Sequence, residues 1–256
     1  LQLTDFAFAE YSRLSCFVMR ELNAKGVVFL QIDPFMDELI SIHEFFASQG
    51  RPEQIQDEPT LSVYQAEHKW TKRLLEFYDS TLKAEFKQVV GAVQEFARAD
   101  AERGALRHKM RAEALIKNCP EDKNTYIEAG YIHLKLLQEL LRHKLRPKII
   151  YILEPVYRKL CGRRQVLAPG DRLTWLYLNY PFYTGPDADL LAAQALVYNK
   201  IIVKDELPTP EGSFPHAKDE VECVRLVEDL DYTSCQHIFE QIRKLSTPKK
   251  KKKLKL

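Results

Sequence analysis

The chain has 256 residues, with 38 Lys and Arg against 36 Asp and Glu and a hydrophobic fraction of 45%. That length can bury a substantial core in one or two domains. Nine scattered glycines exclude collagen-like and glycine-rich classes, and no apolar run approaches the roughly 20 residues of a membrane-spanning helix. Charge is balanced overall but not locally. Residues 1–60 carry a net −6, 61–180 a net +8, 181–246 a net −6 and 247–256 a net +6. Such alternation points to electrostatics within the chain or with a partner more than to a generally basic protein.

Leu3, Phe6, Leu14, Phe17, Val18 and Leu22 recur at helical spacing, so residues 3–22 read as a helix that Gly26 ends. Val27 to Ile32 is a short β-favouring run. Asp33 and Pro34 then suit a helix start, because Asp caps orphan N–H groups and Pro tolerates the first helical position. This helix carries Phe35, Leu39, Ile42, Phe45 and Phe46 and ends by Gly50. A polar, proline-bounded loop follows at 50–59.

From Thr60 to Asn118 there is no proline. One continuous helix would run about 88 Å at 1.5 Å per residue. Leu75, Leu82, Phe86, Val89, Val93 and Phe96 form a candidate helix seam, with a 4-3-4-3 spacing from Leu82 onward. The segment either projects into solvent beyond Phe96 or breaks near Gly91 or Gly104. The preferred reading is a long antiparallel pair with its return helix at 122–145, capped by Asp122 or Asn124 and striped by Tyr126, Ile127, Leu134, Leu137, Leu141 and Leu145. Arg146-Pro147 stops it.

Lys148 to Leu153 is a second β-favouring run, equally readable as the start of a buried helix. Cys161-Gly162 marks a helix end. Asp171 caps a short aromatic helix with Leu173, Trp175, Leu176, Tyr177 and Leu178, stopped by Pro181. Gly185-Pro186-Asp187 opens the next, reaching about Glu206. Residues 207–216 form a loop, 217–230 a helix or strand, and Thr233 or Ser234 caps a last helix with Ile238, Phe239 and Ile242.

The expected fold is therefore all-α: irregular antiparallel helical hairpins with a long protruding pair and little or no sheet. The expected division is a helical unit at 1–146 containing the arm at 60–145, a second unit at 147–246, and a disordered lysine-rich tail at 247–256.

Catalytic signatures are thin. No glycine-rich phosphate loop, nucleophile elbow or H-E-x-x-H occurs. Cys223, Cys235 and His237 offer one close pair where structural zinc wants two. Glu154 near Tyr157 is the one acid worth noting. The five cysteines are odd in number and widely spaced, which suits free thiols in a reducing compartment. No catalytic residue, cofactor or metal is expected.

Three features point to partners. Arg142, Lys144, Arg146, Lys148, Arg158, Lys159, Arg163, Arg164 and Arg172 make a candidate surface for an acidic partner or nucleic acid, with Tyr151, Tyr157 and Trp175 interleaved. The dense aromatic run at 175–183 is either core or a peptide groove. Lys249, Lys250, Lys251, Lys252 and Lys253 resemble a nuclear import signal, and Thr247 before Pro248 is a candidate phosphosite. Val224 to Asp229 resembles a SUMO-interacting motif, with a buried amphipathic element as the alternative. The leading reading is a non-catalytic scaffold or adaptor subunit of an intracellular assembly, self-associating or binding proteins through helix arms and charged faces, in the nucleus ahead of the cytoplasm or cytoskeleton. The alternative is a nucleic-acid-associated protein using 142–172 and the lysine tail.

Overall fold

The computed structural model describes residues 9–120, 124–131, 133–205, 207 and 213–244. Among these residues there are ten α-helices, one 3-10 turn at Pro52–Gln54 and no strand, so the fold is all-α. The helices are α1 (Ala9–Ala24), α2 (Pro34–Ala47), α3 (Thr60–Lys83), α4 (Phe86–Asn118), α5 (Leu134–Arg142), α6 (Glu154–Cys161), α7 (Pro169–Asn179), α8 (Pro186–Ile201), α9 (Pro215–Glu228) and α10 (Tyr232–Lys244). Five of them, α2 and α6 to α9, have proline in the first two helical positions. Proline lacks only an N–H that the helix start leaves unbonded anyway.

The proline-free stretch does not break at Gly91 or Gly104, which both lie inside α4. It breaks at Ala84 and Glu85, whose backbones are extended. The Gln88 side chain accepts the Glu85 N–H at 3.1 Å, half of a capping box that restarts the helix. The antiparallel pair is therefore α3 against α4. Trp70 and Phe77 pack on Phe96 across it, and Glu67–Arg103, Lys69–Glu102 and Arg73–Glu95 ion pairs line its edge. Among the described residues, the expected return helix at 122–145 is helical only over α5. Asp122 lies outside the described residues, and 124–130 is irregular.

The proposed seam divides at the same break. Phe86, Val89 and Val93 are buried in the main core and Phe96 is half-buried, all on α4, whereas Leu75 and Leu82 on α3 are exposed. A continuous coiled-coil stripe is thus replaced by two helices with different neighbours.

Along α4 pack α2, α3, α5, α7, α8 and α10. Its first half shares one apolar cluster with residues 157–242, so the packing runs across residue 146. At the centre is α8, where Ala188, Ala192, Ala193, Gln194, Ala195, Leu196, Val197 and Tyr198 are all buried. A helix apolar all round belongs in a core, and its alanines let neighbours approach closely. Buried Gln194 donates to the Leu230 carbonyl at 3.0 Å, which satisfies its amide. Phe86 closes the core at one end against Tyr232 and Phe239 of α10. Two smaller clusters sit along α4: Ala112 and Leu115 with Leu136 and Leu140 of α5, and Phe35, Ile42 and Val63 where α2 meets α3.

Three local expectations shift. Ala168, not Asp171, precedes α7, which places Asp171 in its first turn. Asp231 caps α10 by accepting the Ser234 N–H at 2.7 Å. α8 ends at Ile201 rather than near Glu206. Residues 224–229 fall on α9 and the turn after it, with Val224 and Val227 in the core, so this segment is the amphipathic element and not an exposed strand. Gly162 takes φ of +73° just past α6, the left-handed cap that glycine reaches without strain.

Candidate functional site: a groove between α7 and α8

The predicted basic stretch does not form one continuous positive face. Arg158 and Arg164 both pair with Glu154, and Arg142 pairs with Glu139. Arg163 binds Glu228 through two bonds of 3.0 and 2.7 Å, and Arg172 reaches the same carboxylate at 3.3 Å. Lys144, Arg146, Lys148 and Lys159 have no ion pair with any described residue. Lys249 to Lys253 and Thr247 lie outside the described residues.

Two of these arginines meet part of the aromatic run. A groove of about 900 Å³ is lined by Leu167, Trp175, Leu176, Tyr180, Leu190 and Leu191, with Arg163, Arg172 and Glu228 also on its wall. Helix periodicity explains the split of the run 175–183. Tyr177 and Leu178 point into the core, whereas Trp175, two positions and so about half a turn from buried Leu173 and Tyr177, is 42% exposed and lines the groove with Tyr180. Beyond the helix, Phe182 is 95% exposed. Part of the run is therefore core, and part lines the groove. Polar groups are already engaged at the groove wall: Gln138 donates to Asn179 at 3.2 Å. Two guanidiniums sharing one carboxylate keep donors to spare, so the Arg163–Glu228–Arg172 group can accept a further anionic group.

Sequence reasoning missed a set of half-buried acids bonded to distant partners. Asp171 accepts the Tyr131 hydroxyl at 2.7 Å, and Glu220 on α9 accepts the Tyr157 hydroxyl. Burial raises the pKa of both carboxyls above the ordinary range, and the Asp171 charge adds to the rise at Glu220. Tyr198 lies among them, and burial pushes its hydroxyl up as well. Asp100 on α4 accepts Trp70 Nε1–H at 3.0 Å and the Thr174 hydroxyl at 3.4 Å, and burial raises its pKa too. These acids join α3, α4, α6, α7 and α9, and their partners come from residues 30 to 74 positions away. No local pattern could announce them. Glu154, the acid noted from sequence, faces arginines instead, and the Arg158 and Arg164 hydrogen bonds hold its pKa down.

The second polar cluster is a histidine pair. His108 Nε2 and His133 Nδ1 lie 2.6 Å apart, with Asp33 bonded to Arg107 nearby. Burial, then the neighbouring His133, lowers the His108 pKa to about 4. Among the described residues no group of three or more His, Cys, Asp or Glu is placed to hold a metal ion. The Cys223, Cys235 and His237 spacing does not converge, since both cysteines are buried and His237 bonds Gln241 on its own helix. None of the five cysteines is in a disulfide. No helix among the described residues is long and apolar enough to cross a membrane.

These features define an all-α protein with a half-apolar groove closed at one side by shared charge. No family model matches the chain, and no solved structure matches it. An uncharacterized protein of Archaeoglobus fulgidus is 30% identical over 234 residues, which cover 91% of this chain and 77% of that protein. The chain belongs to the family of this archaeal protein.

Proposed function

We propose that the chain is a non-catalytic, protein-binding scaffold subunit that takes an amphipathic helix of its partner in the groove between α7 and α8. The observation that carries this reading is the pairing of an exposed aromatic and aliphatic groove with two arginines that share a single carboxylate. Apolar anchors at i, i+3 or i+4, and i+7 fit such grooves. An acidic residue beside them would take the spare guanidinium donors. Aromatic and arginine side chains are also the types that carry most binding energy at interfaces.

Trp175 reports directly on the groove. The other tryptophan, Trp70, is tied to Asp100 and can be replaced by Phe to leave one emitter. The test is a fluorescence titration with three synthetic helical peptides: one with Leu anchors and flanking Glu, one with Leu anchors and Lys, and one with Ser for Leu. The expected result is saturable binding of the Glu-Leu peptide, weaker binding of the Lys-Leu peptide, and loss with Leu190→Glu. No binding of the Glu-Leu peptide, or equal binding by Leu190→Glu, overturns the assignment. The basic stretch as a nucleic-acid surface is the competing reading, and Lys144, Arg146, Lys148 and Lys159, which have no ion pair with a described residue, favour it. It predicts duplex binding that weakens steeply with salt, because each neutralised phosphate releases counterions.

A further inference from the structure

α5 is joined to α4 through one apolar patch and one polar patch. The apolar patch is a cluster of only four buried side chains, Ala112 and Leu115 from α4 with Leu136 and Leu140 from α5. Elements held by so few buried contacts open at lower cost than the whole fold. One turn back from Ala112, on the same face of α4, is His108, whose ring meets that of His133 just before α5. The His133 carbonyl also accepts the Leu136 N–H at 3.0 Å, so this residue starts the helix as well as docking it. Three further bonds tie the segment down. Arg111 donates to the Glu128 carbonyl at 2.9 Å, the Tyr131 hydroxyl to Asp171 at 2.7 Å, and the Gln138 amide to Asn179 at 3.2 Å. Gln138 and Asn179 both line the groove between α7 and α8, so α5 forms part of its wall.

The histidine contact admits one proton between its facing nitrogens. His108 Nε2 and His133 Nδ1 are 2.6 Å apart, so one donates and the other must be bare. A proton on either outer nitrogen makes a cation beside Arg107 and Arg111 of α4. Asp33, at the start of α2, is the acid that faces the pair, and it is already bonded to Arg107. At His108 the outer nitrogen, Nδ1, is also buried with no hydrogen-bond partner among the described residues, as is Arg111 Nε three residues on. A proton on both facing nitrogens breaks the contact outright. Once α5 lifts, water reaches both rings and both orphan nitrogens, and the rings bind protons at their ordinary affinity. Burial, His133 and the two arginines push the docked His108 down to about 4. Docking is therefore at full strength above about pH 6.5 and weakens as the pH falls toward 4. The other ties do not follow. Gln138 and Asn179 carry no charge, and burial raises the Asp171 pKa, so acid favours the folded state of that carboxyl, which can still accept the Tyr131 hydroxyl.

We infer that the His108–His133 pair is a pH-sensitive latch, and that acid releases α5 from α4 and frees that wall of the groove while the rest of the fold holds. The release does not depend on what the groove binds; its consequence for a partner rests on the function proposed above.

The test is amide hydrogen exchange of the full chain at about pH 7.5 and about pH 5, corrected for the intrinsic exchange rate. Protection across Leu134–Arg142 is expected to fall roughly 30-fold between the two, the factor by which a ring that binds its proton near pH 6.5 when released and near 4 when docked shifts the opening equilibrium. Buried α8 should stay better protected than α5 at both pH values. In His108→Phe, which fills similar space without titrating, α5 protection should change less than roughly threefold. Should that variant fold poorly, proton NMR of the wild-type imidazoles decides: the His108 and His133 rings should titrate together below about pH 6, over the range in which α5 loses protection. α5 protection indifferent to pH overturns the latch, as does an equal fall in His108→Phe. Equal protection of α5 and α8 also overturns it, because α5 would then open only with the whole fold. So do rings that take up their protons while α5 stays protected. None of these readouts uses a groove peptide, so the latch and the groove assignment fail separately.

Discussion

Lowering the pH should weaken the fold through one buried ring. His108 sits in the middle of α4 with 3% of its surface exposed. Its Nε2 shares a proton with His133 Nδ1 at 2.6 Å, and its Nδ1 is buried with no hydrogen-bond partner among the described residues. Arg107 and Arg111 face the pair from α4, and Asp33 faces it from the start of α2. Burial disfavours the charged ring most, and His133, Arg107 and Arg111 add to this, so its pKa falls to about 4 from 6.5. The unfolded chain, with the ordinary pKa, binds that proton first. The stabilisation is therefore present in full above about pH 6.5 and is lost as the pH falls toward 4. Between about pH 7.5 and about pH 5 the loss is about 2 kcal/mol, or roughly 30-fold in the folding equilibrium. Asp100, Asp171 and Glu220 work in the opposite direction, because their folded pKa values are raised and protonation favours the folded state. The measurement is therefore a difference: urea unfolding of the wild type and of His108→Phe at both pH values. Phe removes the titrating ring while filling similar space. The variant should lose about 2 kcal/mol less than the wild type between the two pH values. Identical pH dependence in the two proteins would refute the argument.

Two further outcomes follow from packing and burial. Phe86→Ala removes the ring that packs on Tyr232 and Phe239, and should destabilise the fold by about 3–5 kcal/mol in denaturant unfolding; a cost under about 1 kcal/mol would mean that α10 does not close the core. Burial lifts the Cys235 thiol to about 11, while Cys16 is exposed. Iodoacetamide followed by peptide mass mapping should label Cys16 well before Cys235, because the thiolate is the reactive form. Comparable labelling rates in the folded protein would contradict the buried position.

Some of this was legible without coordinates. Helical spacing at Phe35, Leu39 and Ile42, the proline starts and the stop before Pro181 are local signals, and local signals set helices. The expected glycine breaks failed for an instructive reason. A glycine inside α4 costs about 1 kcal/mol against alanine, which is little beside the burial of Val89, Val90 and Val93. The true break came at Glu85, where the capping geometry with Gln88 is a weak pattern in sequence. The basic stretch was read as a surface because charge is visible in a sequence and its partners are not. Arg163 meets Glu228 across 65 positions.

The candidate groove shows the same limit. Trp175, Tyr180, Arg163 and Arg172 were each singled out from sequence, but as two separate features. Only the packing of α7 on α8, with α9 bringing Glu228, joined them. By itself the sequence determined the class of fold and the positions of most helices, because hydrophobic period, caps and prolines act over a few residues. The tertiary structure alone decided which charges are spent within the molecule, which acids are half-buried beside tyrosines, and which apolar faces remain uncovered. Those outcomes depend on contacts between residues far apart in the chain, where the cost of burying a polar group is set by the partner it finds.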